Sequence, residues 1–277
     1  MDGKFFFTIL QKIQKLIWFY LFRVIASQGD VIVVTVNYRL GAFGFLYGGG
    51  DKYPGNLGLR DQILGLKWVH ENIEAFGGNP KKVTVFGESA GAMSTGNLIL
   101  TPEAKGLFYR AILQSGSPNS YLGSESRTKS EKKTRNLGEE FKCDNSTLAT
   151  IAECLKKLTV NELLETTNRA VVDGESFIPV WDTPFLPHNP WHALKEGHFN
   201  PVDVIQGVNR DEGSIFVVEL FPNLAPESKN PLTREKTAIF VKFLMNIFFP
   251  GRDDITKEIA DFYADRFEKM DNPDKYQ

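Results

Sequence analysis

The chain has 277 residues, of which 42% are apolar and 24% charged, and its net charge is −2. That length can bury one large core, and the balance is ordinary for a soluble globular protein, so a single large domain is expected. A near-neutral surface offers no basic face to a phosphate backbone, which excludes nucleic-acid partners.

From the N-terminus, Phe5 to Phe22 is rich in large apolar residues, but Gln11, Lys12, Gln14 and Lys15 interrupt it. No run reaches the ~18–20 residues of a membrane span. Its centre is also too polar for a signal peptide, although Val24-Ile25-Ala26 resembles a cleavage site. Residues 1–30 therefore read either as an amphipathic helix or as sequence foreign to the domain that follows, and membrane association stays open. Val31 to Val36 is a β-branched run without alternation, the pattern of a central strand covered on both faces. Gly48-Gly49-Gly50 reads as a flexible connection; it is no phosphate loop, because no Gly-Lys-Ser/Thr follows. Leu59 to Phe76 places Ile63, Leu66, Val69, Ile73 and Phe76 three or four apart and is stopped by Gly77-Gly78 and Pro80, which predicts an amphipathic helix.

Val83 to Phe86 is the second predicted strand, Ala90 to Leu100 the second helix, Ala111 to Gln114 the third strand and Val202 to Gln206 the fourth. Strands alternating with helices predict an α/β fold with a mostly parallel sheet. Between Ser124 and Ala170 the chain reads as helical and more polar, with Leu148, Ile151, Leu155 and Leu158 on one face, a partly helical cap outside the sheet. Cys143 and Cys154 bracket Asn145-Ser146-Thr147, an N-glycosylation sequon; together these features tilt towards an oxidising, secretory compartment. After Glu212 the chain turns helical again, first over Thr237 to Phe248, then with Ile255, Ile259, Phe262 and Phe267 on one face. No internal repeat or low-complexity linker is present.

The most informative stretch is Gly87-Glu88-Ser89-Ala90-Gly91, where a strand gives way to a helix. Residues without bulk on either side allow a sharp turn that exposes Ser89 Oγ as a nucleophile, and the Ala90 N–H at the helix start can face a developing oxyanion. Alone the pentapeptide is a moderate signal, since chance supplies on the order of 0.1 such matches per chain. Its setting strengthens it. Glu88 either lines the pocket floor, where a carboxylate stabilises nearby positive charge, or hydrogen-bonds local backbone.

Around this turn the chain resembles the type-B carboxylesterases, the cholinesterase-like group of the α/β-hydrolases. The resemblance is carried in order by Asn37-Tyr-Arg-Leu-Gly-Ala-Phe-Gly-Phe-Leu46, Pro54-Gly-Asn-Leu-Gly-Leu-Arg-Asp-Gln62, Trp68-Val with Asn72-Ile, Phe76-Gly-Gly-Asn-Pro80, Gly87-Glu-Ser-Ala-Gly91, Gln114-Ser-Gly-Ser-Pro-Asn119 and Gly207-Val-Asn-Arg-Asp-Glu-Gly-Ser214. It covers residues 31–277 and implies a partial carboxylesterase domain of α/β-hydrolase fold, incomplete at both ends. It further implies Ser89 as nucleophile, Glu212 as the acid that orients a catalytic histidine, a Cys143–Cys154 disulfide, glycosylation at Asn145 and a secreted glycoprotein. No metal or cofactor is implied. Arg39 and Asp61 fall in matched signatures, either as an ion pair tying the strand exit to the next helix or as independent surface charges.

Two parts of that machinery are not met. The family's chain order is serine, acid, histidine, yet His70, His188, His192 and His198 all precede Glu212 and read as structural or surface residues. The oxyanion-hole glycines of the family precede the Val31 strand in an HGGG-like loop that has no counterpart here, leaving Ala90 as the donor. The expected function is hydrolysis of a small-molecule carboxylic ester through an acyl-serine, with these 277 residues inactive alone. The alternative is a non-catalytic cholinesterase-like adhesion or binding protein. Leu122 stands where cholinesterases resemble one another in a tryptophan, which favours a general carboxylesterase; Phe177, Phe185 and Trp191 either line an acyl pocket or belong to the core. The ester and the oligomeric state are not specified.

Overall fold

The computed structural model describes residues 4–9, 15–165, 176–213, 233–248 and 251–268. Two compact units divide the chain, Met1–Val208 and Asn209–Gln277. In the first, β1 (Lys4–Ile9), β2 (Val31–Val36), β5 (Val83–Glu88), β6 (Arg110–Gln114) and β9 (Asp203–Gly207) form one parallel sheet in the order β2-β1-β5-β6-β9. Parallel neighbours cannot be joined by a tight hairpin, so each connection must cross over, and helices do the crossing. These are α1 (Lys15–Gly29) after β1, α2 (Gly41–Phe45) and α3 (Leu57–Asn72) after β2, and α4 (Ala90–Leu100) after β5. The mostly parallel α/β sheet expected from the alternation of strands and helices is present. Residues 1–30 supply both a strand and a helix.

The period of the α3 sequence explains its packing. Leu59, Ile63, Leu66, Val69 and, just beyond it, Ile73 are all buried, as are Val83 and Val85 of β5, Ala92 and Leu98 of α4, and Ala111 and Leu113 of β6. Each large side chain taken fully out of water contributes ~1.5–3 kcal/mol, so this cluster is the main source of stability for the layer that carries β5 and α4.

One strand differs from expectation. Val31–Val36 was expected at the centre of the sheet, but β2 is an edge strand among the described residues, with Val31 buried, Thr35 exposed and the rest half-buried. A β-branched run reports what covers the two faces of a strand; it carries no information about lateral neighbours, and here β1 takes the place between β2 and β5.

The glycine run is also more ordered than a flexible connection. Tyr47–Gly49 (β3) pairs antiparallel with Tyr53–Pro54 (β4), with Gly49 and Gly50 at φ +86° and +61° in the turn. A side chain at Gly48 would place its Cβ 2.7 Å from both Ala152 and Tyr53, so glycine lets the hairpin press against a neighbouring helix.

That neighbour belongs to the excursion between β6 and β9. It contains β7 (Glu125–Ser126), α5 (Arg127–Glu140), α6 (Leu148–Leu155), β8 (Val180–Trp181) and α7 (Pro190–Glu196). Ser126 and Thr147 cap α5 and α6, accepting from Lys129 N at 3.2 Å and Thr150 N at 3.0 Å. The Cys143–Cys154 disulfide joins the start of the segment after α5 to the last turn of α6, with Cα atoms 5.8 Å apart. Buried polar ties fasten the excursion to the sheet layer. Asn56, fully buried in the left-handed conformation at φ +56°, donates to Val180 O at 2.8 Å and accepts from Val180 N at 2.7 Å. Thr101 Oγ1 donates to Phe185 O at 2.6 Å, and Asn97 Nδ2 to Gly123 O at 2.8 Å.

In the second unit, α8 (Arg234–Phe248) and α9 (Asp253–Glu268) form a helical hairpin turned at Gly251, φ +75°. Arg234 reaches Asp265 at 2.7 Å across it. Asp254, in the first turn of α9, is pulled down to about 2 by its hydrogen bond from the Arg252 guanidinium and by backbone N–H donors.

Candidate active site

The centre of interest is the junction of β5 and α4. Glu88 ends the strand, Ala90 begins the helix, and Ser89 between them has φ +52° and ψ −117°. A residue with a Cβ held in so sparsely populated a region stores ~1–3 kcal/mol, which the surroundings must offset. They do so with backbone contacts. Ser89 N donates to Gln114 O at 2.9 Å, and Met93 N donates to Ser89 O at 3.0 Å. A Cβ on Gly87 would fall 2.3 Å from Gly91 C, so strand and helix approach as closely as only glycine allows; a Cβ on Gly116 would fall 2.5 Å from Ser89 O. Ser115, φ +54°, donates to Gly207 O at 2.8 Å, so the C-terminal ends of β5, β6 and β9 meet at this turn. Ligands in open parallel sheets bind at that end of the strands.

The outcome is an exposed serine over a half-buried helix start. The first N–H groups of α4, Ala90 foremost, have no acceptor within their own helix, and the helix dipole adds partial positive charge there. Glu88 is exposed and stands opposite Gln114 in the ladder. Ser89, Ala90 and Glu88 are therefore brought together. Glu212 lies in the second unit, exposed in the turn after β9, where its Oε1 accepts from Asn209 N at 2.7 Å. That bond makes the turn a self-capped loop and fixes the carboxylate's local orientation.

The histidines occupy other places. His70 is half-buried in the last turn of α3. His188 and His198 stack with ring centroids 4.5 Å apart, and His198 Nε2 lies 3.3 Å from Glu196. His192 is exposed on α7. Among the described residues, no three His, Cys, Asp or Glu side chains converge as metal ligands, and no helix is long and apolar enough to cross a membrane. Phe177 and Phe185 belong to the core, whereas Trp191 is 64% exposed. Tyr121 and Leu122 are also exposed.

Arg39 and Asp61 form the ion pair. The guanidinium reaches both carboxylate oxygens at 2.7 Å, and Arg39 N adds a third bond at 3.0 Å. Partial burial pushes the Asp61 pKa up, but the side-chain and backbone hydrogen bonds from Arg39 outweigh it and leave the carboxyl below its usual value of 3.8. One supporting contact has no signal in the sequence. The Tyr38 and Ser94 hydroxyls are hydrogen-bonded, joining the exit of β2 to α4, while burial raises the Tyr38 pKa above 10.0. The roles of Gln114 and Gly116 behind the turn were equally unassigned, although the Gln114-Ser-Gly-Ser-Pro-Asn119 signature marks the place.

Comparison with known proteins gives consistent matches. The carboxylesterase family model matches residues 17–277. Acetylcholinesterase of Danio rerio is 40% identical over 218 residues, which is 77% of this chain and 34% of that protein. Acetylcholinesterase of Bungarus fasciatus is 35% identical over 259 residues, 91% of this chain and 42% of the relative. Cholinesterase of Mus musculus is 37% identical over 261 residues, 92% and 42% respectively. The chain thus spans between 34% and 42% of the length of the curated relatives it matches.

Proposed function

This chain belongs to the carboxylesterase family, and from that we propose that it carries the nucleophile of a serine hydrolase acting on small-molecule carboxylic esters. The observation that carries the reading is the strained conformation of Ser89 at the start of α4, held by Gln114 and Gly87. Ser89 Oγ attacks the ester carbonyl, the Ala90 N–H helps to hold the tetrahedral oxyanion, the alcohol leaves, and water releases the acid from the acyl-serine. Glu212 is the acid that orients the base, and Glu88 lies beside the nucleophile, where its carboxylate stabilises positive charge on the histidine base or the substrate. The replacement of a tryptophan by Leu122 after the Ser-Pro-Asn signature supports a general carboxylesterase, and the bracketed sequon supports passage through the secretory lumen with a glycan on Asn145.

No histidine follows Glu212 within the 277 residues. Loss of triad members lowers turnover by about 10⁴–10⁶, so these residues alone do not turn over an ester at a useful rate. A binding protein of the same fold is the second reading; retention of both Ser89 and Glu212 counts against it. Intact-mass analysis after treatment with a fluorophosphonate, with and without added imidazole as surrogate base, separates the two. The expected result is an adduct on Ser89 that forms only with imidazole and is absent from Ser89→Ala. A folded chain that stays unlabelled with imidazole, or an adduct that survives in Ser89→Ala, overturns the nucleophile assignment.

A further inference from the structure

The 277 residues contain one Asn-x-Ser/Thr sequon, Asn145-Ser146-Thr147, and it lies inside the loop closed by Cys143 and Cys154. Within the closed loop all three residues are engaged. Arg135 Nη1 donates to Asn145 Oδ1 at 3.1 Å and to Asn145 O at 3.3 Å, and Asn145 Nδ2, the atom that would take the sugar, donates to Glu139 Oε1 at 3.1 Å. Ser146 N donates to Asp144 Oδ1 at 3.0 Å. The Thr147 hydroxyl caps α6 by accepting Thr150 N at 3.0 Å and lies 2.6 Å from the Thr150 hydroxyl. The helices on either side are pressed together, since a Cβ on Gly138 of α5 would fall 2.6 Å from Ile151 of α6, and Cys143 N donates to Gly138 O at 2.8 Å.

To glycosylate a sequon, a transferase must have the amide nitrogen free for the donor and the hydroxyl of the third residue free for its own contacts. In the closed loop that hydroxyl is a helix cap and the amide is pinned at both ends. Freeing both groups would strip α6 of its cap and the Asn145 amide of its bonds to Arg135 and Glu139, and the disulfide, which fixes the far end of α6 against the start of the loop, opposes that rearrangement. We infer that Asn145 accepts its glycan only while the Cys143–Cys154 bond is open, so that closure of the bond ends its modification. The inference rests on the reading of this chain as a secretory glycoprotein. In the transfer, Nδ2 forms a bond to the anomeric carbon of a lipid-linked oligosaccharide as the bond from that carbon to the lipid pyrophosphate breaks, and one amide proton passes to a base of the transferase. Closure oxidises the two thiols, releasing two protons and handing two electrons to a disulfide-carrying oxidoreductase.

The order can be tested on chain made in a host without the transferase, purified with the disulfide formed, and then given solubilised oligosaccharyltransferase and a lipid-linked oligosaccharide. The readout is an electrophoretic shift reversed by peptide N-glycosidase, which does not require the acceptor to be folded. The expected result is no shift for the oxidised chain, a shift for the same chain reduced and for the double variant Cys143→Ser, Cys154→Ser, and none for Asn145→Gln under any condition. An oxidised chain that shifts as fully as the reduced one overturns the order while leaving the glycan assignment in place. Absence of a shift in the reduced chain and the double variant alike overturns the assignment of Asn145 as an acceptor.

Discussion

Gly87→Ala tests whether the turn at Ser89 is held by the close approach of strand and helix. The added Cβ would lie 2.3 Å from Gly91 C, 2.4 Å from Gly91 O and 2.8 Å from Gly91 Cα, all backbone atoms with no side-chain torsion to relieve them. Carbon atoms settle at ~3.5–4.0 Å, so α4 must move away from β5 by roughly 1 Å. Overpacking of that kind destabilises by ~1–3 kcal/mol. Gly207→Ala is the matched control, because a Cβ there meets nothing within 4 Å and the backbone is outside the left-handed region. Its expected effect is neutral or a gain of ~0.4–1 kcal/mol from a less flexible unfolded chain. Two chemically identical changes should thus differ by about 1–4 kcal/mol in urea denaturation followed by tryptophan fluorescence, with the slope unchanged. Equal midpoints for Gly87→Ala and Gly207→Ala would refute the claim that glycine at position 87 is required by packing.

Two further outcomes follow from charged pairs. Asp61 titrates below 3.8 in the fold, so its pairing with Arg39 stabilises fully above that value and is lost as pH falls through the lower folded pKa. Acid titration of stability should be shallower below pH 3.8 in Asp61→Asn, by about 1 kcal/mol or less because both groups are partly exposed; identical acid limbs would show that the pair contributes nothing. Lys133 and Glu125 are the opposite case, 2.6 Å apart with side chains only 3% and 2% exposed, and Lys133 also donates to Ser176 O at 2.7 Å. Lys133→Met removes the close cation from a buried carboxylate, leaving Lys129 4.0 Å away, and should destabilise by ~3 kcal/mol in the same urea assay, with most of the loss recovered when Glu125→Leu is added. Additive losses would show that the two charges do not act as a pair.

The contrast between these pairs also explains which parts of the molecule were legible in the sequence. Apolar spacing in α3 was readable because a helix repeats its buried face every three or four residues, and the glycines around Ser89 were readable because a tight turn limits residue choice. The edge position of Val31–Val36 was not, since lateral order in a sheet depends on crossovers that leave no mark within a strand. Lys133 and Glu125 lie in a stretch rich in charge, where a buried pair cannot be told from its solvated neighbours. Gly48 falls in a glycine run that reads as a flexible connection because glycine permits motion, whereas its role here is close approach to α6; one residue type serves both uses, and only the neighbour decides between them. Arg39 and Asp61 needed the geometry to choose between a bond and two free charges.

A consequence for the chemistry follows from where the strain at Ser89 is balanced. Among the described residues, the backbone contacts that hold Ser89 come from β5, α4, the end of β6 and the segment after it: the Gly87 and Gly91 backbones, Gln114 O, Met93 N and Gly116. All belong to the first unit, and their backbone bonds require neither an acid nor an imidazole. The geometry of Ser89 is thus a property of the parallel sheet and the α4 crossover, separable from the groups that would ionise its hydroxyl. Exposure of a serine in the φ +52° conformation orients a hydroxyl, but proton removal still needs a base within hydrogen-bond reach. Orientation and activation are therefore distinct contributions in this fold. A substitution such as Gly87→Ala should impair both stability and labelling of Ser89 in the presence of imidazole, whereas substitution of Glu212 should leave the conformation of the turn, and the stability supplied by its packing, unchanged.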